Sequence, residues 1–415
     1  MKKILKVILL YVLAISSAHS AVMELTAKFS PSLLSPENNK FTNTTPLGGF
    51  CLKRPTWCIS SRIEFSVSLP IDLKRSYDIP AKNAPRDGVF FKYPKYTKVN
   101  VIAENGSSHE LTFNITAFNF TYSKVYEAND IGWVRGEFYW GTPTCRSTNL
   151  AARSDPYWYE FAWYNSGNEC IKQSNILRTG DDIEKLYDQS IAYELITPNP
   201  LEMESGIYRG QVKFTVGPGG DIDYGDNYQP SDRELIINFT LTVNHELKVT
   251  PLPGGTDIVL YPCYQGIKCE QKDSEKNWER WIVTNIPPQK LSGLSKFNIS
   301  SSGSFTVYMA CGSGPSISLD SCPIISDKSS TVVPVKAMIT LPNNIANKDG
   351  QRVISQSIFT EKDLSRNQFF TSSFGKDQPG QIAFTIEKKN ITKMLKSRPD
   401  SWSGNVTIIF DPNLY

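Results

Sequence analysis

Apolar and polar residues alternate with a period of two along most of this chain. The pattern is clearest in 62–69 (RIEFSVSL), 111–120 (LTFNITAFNF), 210–216 (GQVKFTV), 234–243 (ELIINFTLTV), 304–309 (SFTVYM) and 332–341 (VVPVKAMITL). Alternation of this kind puts successive side chains on opposite faces of a β-strand. Clusters of Gly, Pro, Asn and Asp separate the segments and read as turns. Helical spacing is weak; only 181–189 (DDIEKLYDQ) and 389–396 predict short helical turns. Many short strands with regular turns predict an all-β chain built from β-sandwiches.

The last such strand carries the sharpest expectation. Val406, Ile408 and Phe410 alternate with Asn405, Thr407 and Ile409, and only five residues follow Phe410. A strand rich in β-branched and aromatic residues normally has a neighbour on each edge. No later segment is long enough to pair beside it, so the missing neighbour is expected from another chain, as in an assembly subunit.

The first residues refine the setting. Lys2, Lys3 and Lys6 precede the apolar run 4–15, and Ala18 and Ser20 are small residues at the −3 and −1 positions. This predicts a secretory signal over 1–20, cleaved after Ser20. No later run approaches the roughly 18 apolar residues of a membrane helix. An exported protein of a Gram-negative bacterium is expected, with cell-surface localisation. The formal charge of +3 lies in the three signal lysines; the remainder carries 41 basic and 41 acidic residues. A near-neutral chain gives no support to a nucleic-acid partner.

Eight cysteines fall as close neighbours: Cys51 and Cys58, Cys145 and Cys170, Cys263 and Cys269, Cys311 and Cys322. Four disulfides in that order are expected, although eight cysteines allow about 105 pairings. Metal binding is disfavoured, since no Cys-x-x-Cys occurs and only His109 and His245 lie beyond the signal. No cofactor is expected. The length predicts two domains. The polar break Asn244-His245-Glu246, with extended chain on either side, sets the expected boundary: 21–244 and 245–415.

Two stretches resemble a known family. One begins at Gly206-Ile207-Tyr208-Arg209-Gly210, continues through GPGGDIDYGD at 217–226 and ends at a Leu-Pro-Gly break. The other is Trp402-Ser403-Gly404-Asn405-Val406-Thr407-Ile408-Ile409-Phe410-Asp411-Pro412. Together they are similar to the two-domain tip adhesins of chaperone–usher fimbriae, of the alpha-fimbrial, colonisation-factor type. The resemblance covers roughly 195–265 and 400–415. It implies two immunoglobulin-like β-sandwiches in tandem, an N-terminal adhesin domain and a C-terminal pilin domain that lacks its last strand. It also implies four partners: a periplasmic pilus chaperone, an outer-membrane usher, an adjacent pilin subunit that completes the fold by donor-strand complementation, and a host glycan or surface protein. Val406, Ile408 and Phe410 would line one lip of the donor-strand groove, and Leu247, Val249 and Leu252 the other. Strand addition satisfies unpaired backbone groups and covers apolar surface together. Met23, Leu25, Ala27 and Phe29 also alternate. They are read as the first strand of the binding domain; as a donor strand they would place the subunit within a shaft.

For ligand binding, the aromatic density between Cys145 and Cys170 and just before it stands out. Trp133, Tyr139, Trp140, Tyr157, Trp158 and Trp163 supply rings that stack on sugars, and Arg135 and Arg153 supply hydrogen bonds. Alternation through 158–164 buries one face of that segment in any case. The Cys51–Cys58 loop, with Lys53, Arg54 and Trp57, is a second candidate, or simply a hairpin staple. Asp221, Asp223 and Asp226 lack the Ca²⁺-loop pattern and read as a solvated turn. No Gly-x-Ser-x-Gly, His-Glu-x-x-His or P-loop occurs, so no enzyme is expected. Two alternatives to a tip adhesin remain at this point: a large minor pilin or adaptor without receptor binding, and a secreted carbohydrate-binding β-protein outside the pilus pathway.

Overall fold

A computed structural model describes residues 20–31, 40–75, 78–123, 133–134, 140–154, 158–178, 185–264, 269 and 271–412, with the backbone alone at 122, 123, 151–154, 159 and 185. The fold is all-β. The first fourteen strands are β1 (Ser20–Phe29), β2 (Thr42–Asn43), β3 (Ser66–Ser68), β4 (Leu73–Arg75), β5 (Val89–Phe91), β6 (Tyr96–Ala103), β7 (Ser108–Ser123), β8 (Ser147–Ser154), β9 (Trp158–Tyr164), β10 (Cys170–Lys172), β11 (Lys185–Ile196), β12 (Gly206–Thr215), β13 (Tyr228–Pro230) and β14 (Glu234–Val243). Then come β15 (Leu247–Pro251), β16 (Tyr261–Cys263), β17 (Lys290–Ser301), β18 (Phe305–Cys311), β19 (Ser321–Ser326), β20 (Val332–Thr340), β21 (Ile345–Asn347), β22 (Gln356–Ser357), β23 (Gln368–Thr371), β24 (Gly375–Glu387), β25 (Trp402–Ser403) and β26 (Val406–Pro412). Four short helices interrupt them: α1 (Gly49–Lys53), α2 (Pro55–Ser60), α3 (Ser274–Thr284) and α4 (Lys388–Met394).

Among the described residues, no sheet joins strands from both sides of 244–246. The first large sheet runs β2-β1-β14-β12-β6-β7-β11-β3, with β9 added to β7 and β8 to β9. Its inward residues, among them Leu25, Phe29, Phe113, Tyr208, Ile237 and Phe239, form one core. β1 lies parallel to β14 over ten register positions, and Met23, Leu25, Ala27 and Phe29 are buried there. The segment is therefore a strand of its own sheet.

β7 changes partner along its length, from β6 over 108–114 to β9 over 117–123. The β11 register skips Thr116, so one extra residue stands in β7 at that point. A bulge inverts the in–out alternation. Ile115 faces the main core, Ala117 faces outward, and Phe118 and Phe120 return to the core. The outer face is covered there by α1 and α2, through a small cluster of Phe50, Cys51, Cys58, Leu150, Ala162 and Ala192.

The second half stacks two sheets around its own core. One runs β15-β17-β24-β20-β19-β25; the other runs β21-β23-β18-β26. Four disulfides join Cys51 to Cys58, Cys145 to Cys170, Cys263 to Cys269 and Cys311 to Cys322. The last ties β18 in one sheet to β19 in the other.

Three local expectations change. Of 62–69, only β3 is strand; Arg62 has φ of 56° and closes the turn after α2. Of 181–189, residues 181–184 lie outside the described residues, and 185–189 begin β11, where pairing with β7 overrides helical spacing. The Cys51–Cys58 segment is helical, not a hairpin. The helical turns expected at 389–396 lie in α4 and the short 3₁₀ turn after it.

Candidate functional site

β26 forms the edge of its sheet. Its one strand neighbour among the described residues is β18, in an antiparallel register that sets Val406 against Cys311 and Phe410 against Val307. The Gly312 N–H donates to the Asn405 carbonyl, whereas the Met309 N–H donates away from β26, to Phe359. Hydrogen-bonding direction alternates along a strand. Thr407, Ile409 and Asp411 thus turn their backbone groups toward β18. Val406, Ile408 and Phe410 turn theirs to the open edge. Pro412 shares that outward parity and has no N–H to offer.

The side chains follow the same division. Val406, Ile408 and Phe410 pack against the core yet stay half-buried. The Phe410 ring meets Phe297 of β17 at 5.3 Å and Phe305 of β18 at 6.3 Å. β15 is the facing edge of the other sheet, paired among the described residues to β17 alone. Its Leu247 and Val249 are half-buried and touch the same core. Leu252 is half-buried too, but sits in the turn after β15, where its N–H donates to Lys296.

Two cavities mark the ends of the space between these edges. One of about 150 Å³ brings Leu247 and Pro412 together, with His245 and Ser301. The other, about 590 Å³, brings 256–260 together with Trp402 and Val406 over Leu291, Ile324, Val335, Phe384, Ile386 and Met394. The two lips therefore run antiparallel, 247 to 260 opposite 412 to 406, over an apolar floor. Residues 256–260 were not among the groove residues the sequence suggested; their mixed sequence, TDIVL, carries no two-residue alternation.

His245 closes one end. Its ring packs edge-on against Phe29 at 5.6 Å, its Nε2 lies 2.8 Å from the Met203 carbonyl, and its Nδ1 lies 3.4 Å from Ser302 Oγ. Burial holds the imidazole pKa below its ordinary value. His109 faces Tyr208 and Ser107. Neither histidine is hydrogen-bonded to a carboxylate among the described residues.

The suggested ligand-binding residues separate. Trp163 is fully buried, and Trp133 is 2% exposed with the Arg178 guanidinium 3.9 Å over its ring. Both are core residues, a correction that follows from strand parity for Trp163 and from the bridge to Ser174 for Trp133. Trp140 is 59% exposed and Trp158 half-buried. Arg135, Tyr139 and Tyr157 lie outside the described residues, as does the Arg153 side chain. Asn165 is buried, tying Pro94 and Ile115 through its amide. The structure also joins the two segments the sequence left apart: Arg54, from the Cys51–Cys58 segment, donates to Glu160 of β9 at 3.1 Å.

No family model matches this chain, and no curated protein matches it. Two solved structures align over most of its length. One is described as a chaperone–tip adhesin complex vital for synergistic activation of CFA/I fimbriae biogenesis, with 10% identity, 95% of this chain and 97% of that one covered, and a TM-score of 0.26. The other is the CsuC–CsuE chaperone–tip adhesion subunit pre-assembly complex from archaic chaperone–usher Csu pili of Acinetobacter baumannii. Its values are 8% identity, 95% and 98% coverage, and a TM-score of 0.18.

The acidic turn at 217–226 is a built hairpin. Asp221 accepts from the Thr215 N–H and hydroxyl, which hold its carboxyl below the usual range. Asp223 accepts from Gly219, Gly225 and Arg86, and Asp226 pairs with Arg86. No group of residues able to hold a metal occurs among those described. No described helix is long and apolar enough to cross a membrane.

Proposed function

We propose that this chain is a subunit of a surface fimbria, mounted by strand addition into the groove between β26 and the 247–260 lip. One observation carries the reading: a seven-residue apolar strand open along one edge, with three half-buried side chains on a floor of core residues. An extended segment laid there gains main-chain hydrogen bonds from Val406, Ile408 and Phe410 and covers their exposed area. A periplasmic chaperone would supply the strand first and an adjacent subunit later, with an outer-membrane usher between the two stages. In this reading 245–415 is an incomplete immunoglobulin-like pilin domain and 21–244 the binding domain, which attaches to a host glycan or surface protein. The burial of β1 in its own sheet supports a place at the fimbrial tip, since those residues are committed to β14 and cannot be donated to a neighbour.

The test is to tether a designed nine-residue strand, apolar at alternate positions, behind residue 415. The tethered chain should melt higher and aggregate less than the untethered one. Equal melting, together with a monomeric untethered chain whose 406, 408 and 410 amides are already protected from exchange, would overturn the reading.

A further inference from the structure

The outer face of the first sheet is only partly covered. α1 and α2 seal it over Ala117, Ala162 and Ala192. One step along the strands the row changes from alanine to polar and aromatic side chains, from buried Glu160 and Thr121 to half-buried Trp158. There Glu160 of β9, Thr121 of β7 and Tyr187 of β11 stand side by side in one cross-strand row. Trp158 is two residues from Glu160 on the same strand face. Arg54, at the junction of α1 and α2, reaches over this row, its guanidinium carbon 6.0 Å from the Trp158 ring centroid.

The hydrogen bonding of this group is incomplete. The Glu160 side chain is 4% exposed, and its Oε2 accepts from Arg54 Nε. Its Oε1 is buried and has no hydrogen-bond partner among the described residues. An unpaired carboxylate oxygen at such depth costs free energy unless a donor arrives. Arg54 uses Nε alone on Glu160, which leaves its terminal N–H groups to solvent on a side chain 38% exposed. Lys53 is taken up by Asp188 at 2.6 Å. Among the described side chains, two cations thus face two carboxylates.

We infer that this ledge is a binding site for a neutral saccharide, recognised through a vicinal cis-diol. One hydroxyl donates to the Glu160 carboxylate once it turns outward from its buried position. Its neighbour accepts from the Arg54 guanidinium. The apolar face of the ring rests on Trp158, as sugar faces rest on aromatic rings. Tyr187, 37% exposed, bounds the far side. The charges of Arg54 and Lys53 are already matched by Glu160 and Asp188, which favours the neutral class. The inference takes from the proposed function only the idea that 21–244 binds a ligand; it uses no residue of the groove.

The full chain is titrated with methyl β-D-galactopyranoside, methyl α-D-mannopyranoside and N-acetylneuraminic acid, followed by saturation-transfer NMR and tryptophan fluorescence. At least one of the two neutral glycosides should bind. Glu160→Gln should weaken it by about tenfold or more, the scale of one lost charge-assisted hydrogen bond, and Trp158→Ala by about tenfold through the lost stacking face. Tyr96→Ala, at an exposed ring on β6, should leave it within twofold. Melting temperatures show that each variant is folded, and Arg54→Lys gives a second probe should Glu160→Gln fail to fold. The inference is overturned if neither neutral glycoside binds, if only the acid binds, or if Trp158→Ala leaves affinity within twofold. Strand capture by the groove is read separately by the tether. Capture without sugar binding sinks the site alone, and failed capture sinks the assembly reading whatever the sugar result.

Discussion

Phe410→Ala separates a groove-lining side chain from an ordinary core residue. In the chain alone, the Phe410 ring is half-buried against Phe297 and Phe305. Removing a fully buried phenylalanine side chain costs about 3–5 kcal/mol. Half burial reduces the expected loss to about 2 kcal/mol in the empty form. With a strand laid beside β26 the ring becomes covered, and the loss rises to the full range. The difference of about 2 kcal/mol appears as roughly 30-fold weaker strand binding. Urea unfolding of the tethered and untethered chains, each with and without the substitution, gives both losses. Their difference isolates the groove, because the shared packing on Phe297 cancels. Equal losses in the two forms, with unchanged affinity for an added strand peptide, would refute this account of Phe410.

Amide exchange should alternate along β26: fast at Val406, Ile408 and Phe410 and slow at Thr407, Ile409 and Asp411 in the empty chain, with the fast set slowing once a strand is tethered. A Cβ added at Gly380 would lie 2.5 Å from the Phe297 ring. Gly380→Ala should therefore cost about 1–3 kcal/mol and, by pushing that ring toward Phe410, weaken strand capture, as measured by melting and peptide titration. Burial lowers the His245 pKa in the folded chain. Above about pH 6.5 both states hold it neutral and nothing is lost. As pH falls below that, the unfolded chain takes up the proton first and stability declines, levelling off below the folded pKa. His245→Gln should flatten that part of the stability–pH curve. Asp223→Asn removes the buried half of the Arg86 pairing while Asp226 still holds the guanidinium, and should cost about 1–3 kcal/mol in urea unfolding.

Alternation alone carried β14, β18 and β20, since each presents one face to a core and its residues agree with that face along the whole strand. It also marked Val406, Ile408 and Phe410, whose parity is a local property. It could not find the opposite lip at 256–260, which has no regular period and lies against β26 only through the packing of two sheets. The helical spacing at 185–189 misled, because long-range pairing with β7 outweighs a few tenths of a kcal/mol of local preference. Aromatic density between 133 and 170 mixed two kinds of ring. Phe161 and Trp163 share the core-facing parity, while Trp158 and Glu160 share the other. Nothing in composition tells the two apart until β7 fixes which face is inside. The Arg54–Glu160 contact joins residues 106 apart in sequence. Only the helical clip made by the Cys51–Cys58 bridge brings them together.

The placement of β14 has a mechanical consequence. It is flanked by β1, parallel, and β12, antiparallel, each over ten register positions. The chain leaves it through Asn244, whose N–H is held by Phe29 at the end of β1. Tension entering at that point pulls along the strand axes. The two ladders are then loaded in shear, many hydrogen bonds at once, instead of being peeled one by one. The first half of the molecule is thereby anchored along two ladders of ten positions each, so under load the junction at 244–246 should yield before that sheet.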